Sequence, residues 1–218
     1  MKNSVLRTIT GLALGLLFLL SFIYIPPFYF SLILGAILAY IIFFEWNNFF
    51  NWHQSIFWML LPLYPVLPFA LLIRMNQQPI YRGLLFSLFV LVASHDTGSY
   101  IIGSLFGKHR IAPHISPGKT WEGFFGGALL TIASFTLLLW ATNTSKPWWL
   151  IAGIALATCV LALCGDLFES WLKRLARIKD SGTILPGHGG FLDRFDGILF
   201  VVFFFYLFKD HLLLLIGL

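Results

Sequence analysis

Charged residues are scarce in this sequence. Only 11% of the 218 residues are charged, whereas 59% are hydrophobic. An average soluble domain has about 25% charged residues, so this chain has too little polar surface to cover a water-soluble globule. Long apolar runs separated by short polar stretches indicate membrane spans instead.

Cysteine is rare as well. The two cysteines, Cys159 and Cys164, lie inside one apolar run, which excludes a disulfide framework and a metal-finger spacing and is typical of small core residues. The net charge of +5 would by itself be compatible with nucleic-acid binding. In a membrane chain, basic cytoplasmic loops and anionic headgroups explain it better, so no nucleic-acid partner is predicted.

Seven apolar runs predict an all-α, polytopic transmembrane helix bundle with about seven spans and cytoplasmic catalytic loops. Each run is near the ~20 residues that cross a bilayer core. The first is predicted to be a retained span, because no small-residue cleavage site follows it. The chain is predicted to be one integral membrane domain, residues 1–218, with N-terminal spans in 1–90 and a catalytic half in 91–218. The runs cover 5–25, 26–44, 55–73, 83–106, 121–141, 147–165 and 197–217.

Two of these runs carry features that disturb a helix. Pro62, Pro65 and Pro68 lie in the third run and predict a kink or a break there. The last run is interrupted by Lys209, Asp210 and His211.

The basic residues predict the orientation. If the N-terminus lies inside, ten of the fourteen Lys and Arg residues fall in inside segments. By the positive-inside rule, the N-terminus and both large polar loops should face the cytoplasm. We therefore expect an integral protein of a bacterial inner membrane with its active site on the cytoplasmic side.

The acidic residues are clustered. Seven of the nine lie in two stretches, 95–122 and 166–196. Solubility alone would scatter them, and a charged group within or beside a span is costly, so such groups are functional candidates.

The second stretch carries three carboxylates and a basic group. Asp166 follows the sixth run, and Asp193 and Asp196 are three residues apart, on one face of a helix start. Three carboxylates at one interface suit a hard cation such as Mg²⁺. With the positive charges of Lys173, Arg174 and Lys179 beside them, they are the groups that phosphoryl or nucleotidyl transfer uses.

A glycine-rich turn, Pro186-Gly187-His188-Gly189-Gly190, lies in the same stretch. Few side chains shield its backbone, so its N–H groups can approach an anion closely. A purely structural interpretation is also open. Glu169 and Lys173 could form a plain helical pair, and the basic residues could serve only to keep the loop on the cytoplasmic side.

The first stretch contains Asp96 within the fourth run, where an unpaired carboxylate is expensive. Gly98, Gly103 and Gly107 favour close helix packing. In the polar turn before the fifth run, Lys119 is a candidate phosphate ligand and Thr120 a candidate helix cap. His95, His109 and His114 do not have the spacing of a metal pair and are interpreted as surface or structural residues.

These segments resemble a known family. Ser170-Trp-Leu-Lys173-Arg174, Lys179-Asp180-Ser181-Gly182 and Pro186 to Asp196 are similar to the signature of phosphatidate cytidylyltransferases, also called CDP-diacylglycerol synthases. Family-like segments also occur at Asp96–Tyr100, Phe106–Lys108 and Ser116–Gly123, and at Glu45-Trp46. The sequence departs from longer bacterial members in having only one clear span between Glu45-Trp46 and Asp96.

The resemblance implies that CTP and phosphatidic acid react to CDP-diacylglycerol and pyrophosphate, with Mg²⁺ and room for a second cation. Membrane lipids are implied as partners, and a homodimer is allowed. It implies Asp166, Asp193 and Asp196 as metal ligands and catalytic residues, together with the basic Lys173, Arg174 and Lys179. It further implies a set of substrate-binding residues: Asp96, Lys119, Ser170, His188, Gly189, Gly190 and Arg194.

Three other functions are weighed against this one. A CTP-dependent lipid kinase of the polyprenol type would transfer the γ-phosphoryl group to an alcohol, but the near-complete cytidylyltransferase signature argues against it. A non-enzymatic ion-binding transporter would use Asp96 and Asp166 near a midplane site, whereas most acids here lie in loops or at span ends. A catalytically dead homologue would have lost motif acids, and none is replaced.

Overall fold

A computed structural model of the chain describes residues 15–185 and 189–216. Within them lie eight helical segments and one two-stranded antiparallel hairpin. The hairpin strands are β1 (Arg110–Ala112) and β2 (Ser116–Thr120), which pair Arg110 with Thr120 and Ala112 with Ser116. The helices are α1 (Gly15–Tyr24), α2 (Pro27–Phe49), α3 (Ser55–Gln77), α4 (Pro79–Phe106), α5 (Trp121–Ala141), α6 (Trp148–Leu175), α7 (Leu192–Leu207) and α8 (Lys209–Ile216).

Five of the described helices, α2 to α6, are long and apolar enough to cross a membrane. They correspond to the second through sixth predicted runs, so the prediction of an all-α polytopic membrane protein is confirmed. The first run is described over residues 15–25, of which Gly15–Tyr24 form α1; residues 5–14 of that run lie outside the described residues. The last run forms α7 and α8, which meet at an 81° bend.

Polar contacts surround the bend between α7 and α8. The Tyr81 hydroxyl donates to Asp210 Oδ1 at 2.5 Å, and Lys209 Nζ lies 3.3 Å from Asp210 Oδ2. Lys209 Nζ also lies 5.1 Å from the centre of the Tyr206 ring. These polar contacts hold the charged residues that interrupt the apolar run. The break between α7 and α8 lies at the interruption, residues 209–211, where the sequence predicts that the last span ends or surfaces through snorkelling side chains.

Two helices contain π-helical turns, which often occur at functional sites. In α3 the turn covers Pro62–Val66, so the prolines loosen the helix there without ending it. In α2 the turn covers Ile41–Glu45 and ends on the acidic residue. The side chain of Glu45 is thereby delivered from an apolar helix into a buried polar environment, described below.

The chain divides into two compact units, one comprising Met1–Gln78 with Leu172–Phe195 and the other Pro79–Trp171 with Asp196–Leu218. The division differs from the sequence-based split near residue 90, because each unit combines two separate pieces of chain. Both α6 and α7 pass from one unit into the other.

The core of the first unit is aromatic. Trp46 is fully buried and lies 5.7 Å from Phe49 and 6.3 Å from Phe57, centroid to centroid. Phe195 packs on Phe69 at 5.0 Å, which anchors the start of α7. Because these rings bury a large apolar area each, they fix the positions of the α2 end and the α7 start, where the polar residues of this unit lie.

The second unit packs through small residues. A Cβ on Gly98 of α4 would lie 2.9 Å from the carbonyl oxygen of Gly126 and 2.9 Å from the Cα of Gly127, both in α5. The helices therefore approach at backbone distance, as was predicted for Gly98. The predicted cap is also present, since the Thr120 hydroxyl accepts the Gly123 N–H at 3.2 Å and begins α5.

Candidate active site

A buried ion pair lies in the first unit, where α6 ends and α7 begins. Lys173 Nζ donates to Asp193 Oδ1 at 2.7 Å, and the two side chains are 11% and 5% exposed. A buried charge is costly unless it is paired and hydrogen-bonded. The α6 helix continues ten residues beyond the predicted end at residue 165 and so carries Lys173 to this position.

The other oxygen of Asp193 holds the preceding loop. Asp193 Oδ2 accepts the Ser181 N–H at 2.9 Å, the Ser181 hydroxyl at 2.8 Å and the Gly190 N–H at 2.7 Å. One carboxylate therefore joins the loop after α6, the glycine turn and the lysine. We call Glu45, Lys173, Ser181, Gly190 and Asp193 the Asp193 cluster.

Two members of this cluster, Glu45 and Ser181, are not among the site residues predicted from the sequence. Glu45 is 1% exposed, and its Oε1 accepts the Phe191 N–H at 2.7 Å while its Oε2 accepts the Leu192 N–H at 2.8 Å. A carboxylate at a helix start satisfies N–H groups that have no partner within the helix. Glu45 thus fixes the entry to α7 from a residue almost 150 positions earlier in the chain.

Two positions of the turn require glycine, because neighbouring side chains approach their backbone closely. Gly189 has φ +79°, in the region that side-chain-bearing residues rarely adopt, and a Cβ there would collide with Asp193 Oδ2. A Cβ on Gly190 would lie 2.5 Å from Glu45 Oε1 and would collide with the Ser181 hydroxyl. The backbone can approach both carboxylates only because these side chains are missing.

The C-terminus of α6 ends in a left-handed residue. Arg177 has φ +58°; its N–H donates to Arg174 O at 3.1 Å, and the Ile178 N–H donates to Lys173 O at 2.9 Å. This is the bonding of a Schellman motif, here with an arginine where glycine is usual. The side chains of Arg174 and Lys179 are exposed beside it.

A second group of polar side chains lies in the other unit. Lys119, in strand β2, forms an ion pair with Asp166 Oδ2, and the Ser170 hydroxyl donates to Asp166 Oδ1 at 3.4 Å. Ser170 follows Asp166 by one helical turn, so both lie on one face of α6. We call Lys119, Asp166 and Ser170 the Asp166 cluster.

Glu122 holds the hairpin that carries Lys119. Its Oε2 accepts the Lys108 and His109 N–H groups at 3.1 and 3.2 Å, and its Oε1 lies 2.5 Å from His109 Nδ1. The interpretation of His109 as a structural residue agrees with this contact. His95 is buried in the same unit, with its ring 5.6 Å from that of Phe124.

The remaining predicted site residues are placed as follows. Asp96 is exposed on α4 and Arg194 on α7. Asp196 is half-buried, and its Oδ1 accepts the Gly197 N–H at 2.8 Å. His188 lies outside the described residues.

Hard carboxylate oxygens suit Mg²⁺, but no three acidic, histidine or cysteine side chains converge on a common point in residues 15–185 and 189–216. Lys119 and Lys173 hold oxygens of Asp166 and Asp193, respectively. The arrangement therefore does not form a ready three-carboxylate site, and the assignment of Asp166, Asp193 and Asp196 as metal ligands stays a prediction.

The chemistry available to the two clusters is that of phosphate binding. Each offers a lysine ammonium oriented by a carboxylate, and in the Asp193 cluster the carboxylate also fixes Gly190 of the glycine turn. Ammonium groups and N–H donors attract phosphate oxygens.

The spans and the two clusters define an integral membrane protein with carboxylate–lysine groups in each of its units. The chain belongs to the cytidylyltransferase family, because the sequence model of that family matches residues 47–212. Every residue of both clusters except Glu45 lies inside that match.

The chain is also similar to bacterial proteins of known name. It is 44% identical over 114 residues to the phosphatidate cytidylyltransferase of Staphylococcus aureus (strain COL), which is 52% of this chain and 44% of that protein. It is 46% identical over 121 residues to the phosphatidate cytidylyltransferase of Staphylococcus epidermidis (strain ATCC 35984), which is 56% of this chain and 46% of that protein. The chain thus spans about half the length of these curated relatives.

Proposed function

We propose that the chain is a phosphatidate cytidylyltransferase of a bacterial inner membrane, which converts CTP and phosphatidic acid to CDP-diacylglycerol and pyrophosphate. The observation that carries the proposal is the buried Lys173–Asp193 pair at the glycine turn, in a chain of the cytidylyltransferase family. The names of the staphylococcal relatives support the choice of lipid substrate.

The reaction needs alignment and charge neutralisation more than a protein nucleophile. An oxyanion of the lipid phosphate attacks the α-phosphorus of CTP, a new P–O bond forms, and the bond to the β-phosphate oxygen breaks to release pyrophosphate. The phosphate is already ionised at neutral pH, so no general base is required. Bringing two polyanions together is the main barrier, and oriented cations lower it.

The basic residues have distinct roles in this proposal. Lys173 is fixed by Asp193 and supplies positive charge beside the nucleotide phosphates, while the exposed Arg174 and Lys179 attract the triphosphate. In the other unit, Lys119 is oriented by Asp166. Gly189, Gly190 and the adjoining His188 would form the wall against which a phosphate lies.

We propose a requirement for Mg²⁺, for which the carboxylates of Asp166, Asp193 and Asp196 are the candidate ligands; Lys119 and Lys173 would have to release Asp166 and Asp193 to the ion. When bound, the ion would neutralise charge on the nucleotide phosphates. Chelation should stop turnover, and restored Mg²⁺ should recover it. Activity that persists in excess chelator would contradict this requirement.

The proposed function is tested with the purified full chain in detergent. Given CTP labelled in the cytosine ring, phosphatidic acid and Mg²⁺, it should form a lipid-soluble cytidine product and release pyrophosphate. The proposal is falsified if no such product forms while a staphylococcal relative in the same assay forms it. Transfer of a labelled γ-phosphate to a lipid alcohol would instead favour the CTP-dependent kinase.

A further inference from the structure

A polar cavity of about 740 Å³ lies in the first unit, where α2 ends and α3 begins. Four amide-bearing residues and three aromatic residues line most of it, and none of the lining residues in the described part of the chain is charged. The amides are Asn47, Asn48, Asn51 and Gln54, and the aromatic residues are Phe49, Phe50 and Trp52.

Because no described lining residue is charged, fewer kinds of ligand suit the cavity. A phosphate group would need ammonium, guanidinium or N–H donors, and an acyl chain would need a largely apolar wall. Amides combined with aromatic rings suit an uncharged, planar, hydrogen-bonding group such as a nucleobase, which stacks on the rings and pairs with the amides. The volume is in the usual range for small-molecule sites.

The cavity is joined to the Asp193 cluster. Asn48 lines the cavity, and its Nδ2 donates to Ser181 O at 2.8 Å. Ser181 in turn donates to Asp193. The cavity also includes Leu175 and Ala176 at the end of α6, which lie between the exposed Arg174 and Arg177 in the chain. The end of α6 thus contributes two lining residues and, next to them in the chain, two exposed arginines, which suits a nucleoside triphosphate.

The wall carrying Trp52 is ordered by its own hydrogen bonds. The His53 N–H donates to Asn51 Oδ1 at 3.1 Å, and the Asn51 N–H donates to Gln54 Oε1 at 3.2 Å. The Trp52 ring lies 3.8 Å from the His53 ring, centroid to centroid, and is 60% exposed. A ring already held in place loses little entropy when a base stacks on it.

We propose that this cavity binds the cytosine base and ribose of CTP, with Trp52 as the stacking platform and Asn47 as a base-discriminating amide. The inference rests on the proposed function, since it uses CTP as the nucleotide. It adds a nucleoside subsite in a loop that the sequence did not select.

The test measures binding separately from turnover. Equilibrium dialysis of the full chain in detergent with labelled CTP should give about tenfold weaker binding for Trp52→Ala, as loss of one stacked base predicts, and near wild-type binding for Trp52→Phe. Ile56→Trp, which fills the cavity from another wall, should also weaken binding. Trp148→Ala removes a comparably exposed ring outside the cavity and should leave binding unchanged.

Competition identifies which part of CTP the cavity holds. Unlabelled cytidine should displace CTP from the wild type, and Trp52→Ala should weaken its competition while competition by pyrophosphate is unaffected. Asn47→Ala should reduce the preference for CTP over UTP. Unchanged CTP binding in both Trp52→Ala and Ile56→Trp would overturn the inference. Trp52-dependent CTP binding without a lipid-soluble product would overturn the proposed function alone.

Discussion

Asp193 uses its two carboxylate oxygens for different partners. One oxygen pairs with the buried Lys173, and the other accepts three hydrogen bonds from the loop and the glycine turn. A substitution at this residue therefore changes both the charge balance and the backbone of the site. Loss of activity in a single variant cannot separate these effects.

A double-mutant cycle separates them. Asp193→Asn removes the carboxylate charge from the buried Lys173–Asp193 pair, and removal of one member of a buried pair costs roughly 3–5 kcal/mol. We expect a lower thermal midpoint in detergent and no turnover. Lys173→Gln combined with Asp193→Asn removes both charges, so the midpoint should rise again in part while turnover stays absent. Equal midpoints for the single and double variants would argue against the ion pair.

Glu45 is predicted to position the start of α7 for catalysis. Glu45→Gln keeps the size of the side chain but replaces one acceptor oxygen with an NH₂ group facing a backbone N–H, which costs about 1–3 kcal/mol. We expect kcat to fall more than the KM for CTP changes, because the entry to α7 shifts while the basic residues remain. Turnover per folded molecule is the quantity to measure.

The matched control for Glu45 is another buried polar residue of the same unit. Asn76 is fully buried and donates to Pro27 O at 2.7 Å. Asn76→Ala should lower stability by a similar amount and leave turnover per folded molecule intact. If both variants lose turnover equally, the effect of Glu45 is one of general stability.

The sequence predicted Lys173, Asp193, Lys119 and Asp166 as site residues because charge beside a span is costly and must have a reason. It did not assign Glu45 to the site, since no spacing rule links residues almost 150 positions apart. A signal was present, however. Glu45 is the only acidic residue before Asp96 and follows an apolar run, so an internal partner was to be expected.

At the scale of helices, hydropathy predicted the five clear spans because their apolar length is matched to the bilayer. It placed the end of α6 ten residues too early, since a helix continues through polar residues after it leaves the apolar region. It marked the interruption of the last run at residues 209–211 but could not give the 81° angle between α7 and α8, where Asp210 contacts the distant Tyr81.

Two glycines in α6 provide a test of helix packing. A Cβ on Gly165 would collide with the carbonyl oxygen of Asp196 in α7, whereas a Cβ on Gly153 would meet nothing within 4 Å. Gly165→Ala should therefore lower stability by about 1–3 kcal/mol through overpacking and reduce turnover. Gly153→Ala, on the same helix, should leave both unchanged or raise stability slightly. Thermal unfolding and product formation measure the difference, and equal effects would refute the close packing.

At the scale of the whole molecule, hydropathy cannot predict that the chain forms two interleaved units. Each unit combines two separate pieces of chain, and in the first unit these pieces are separated by residues 79–171. Such long-range pairing depends on three-dimensional packing. The membrane orientation is different, because it follows from where Lys and Arg residues lie relative to the spans. It is a property of the chain that can be tested without turnover.

Cysteine labelling tests the orientation that the basic residues predict. In a chain carrying Cys159→Ala and Cys164→Ser, a single cysteine is placed at Ser145, before α6, or at Thr183, after it; both positions are exposed. Because α6 crosses once between them, a membrane-impermeant thiol reagent added to intact bacterial cells should label Ser145→Cys and leave Thr183→Cys unlabelled until the inner membrane is opened. Detergent-solubilised samples, in which both should react, serve as the control. The reverse pattern would place the Asp193 cluster on the outer side, away from cytosolic CTP, and would contradict the proposed enzyme.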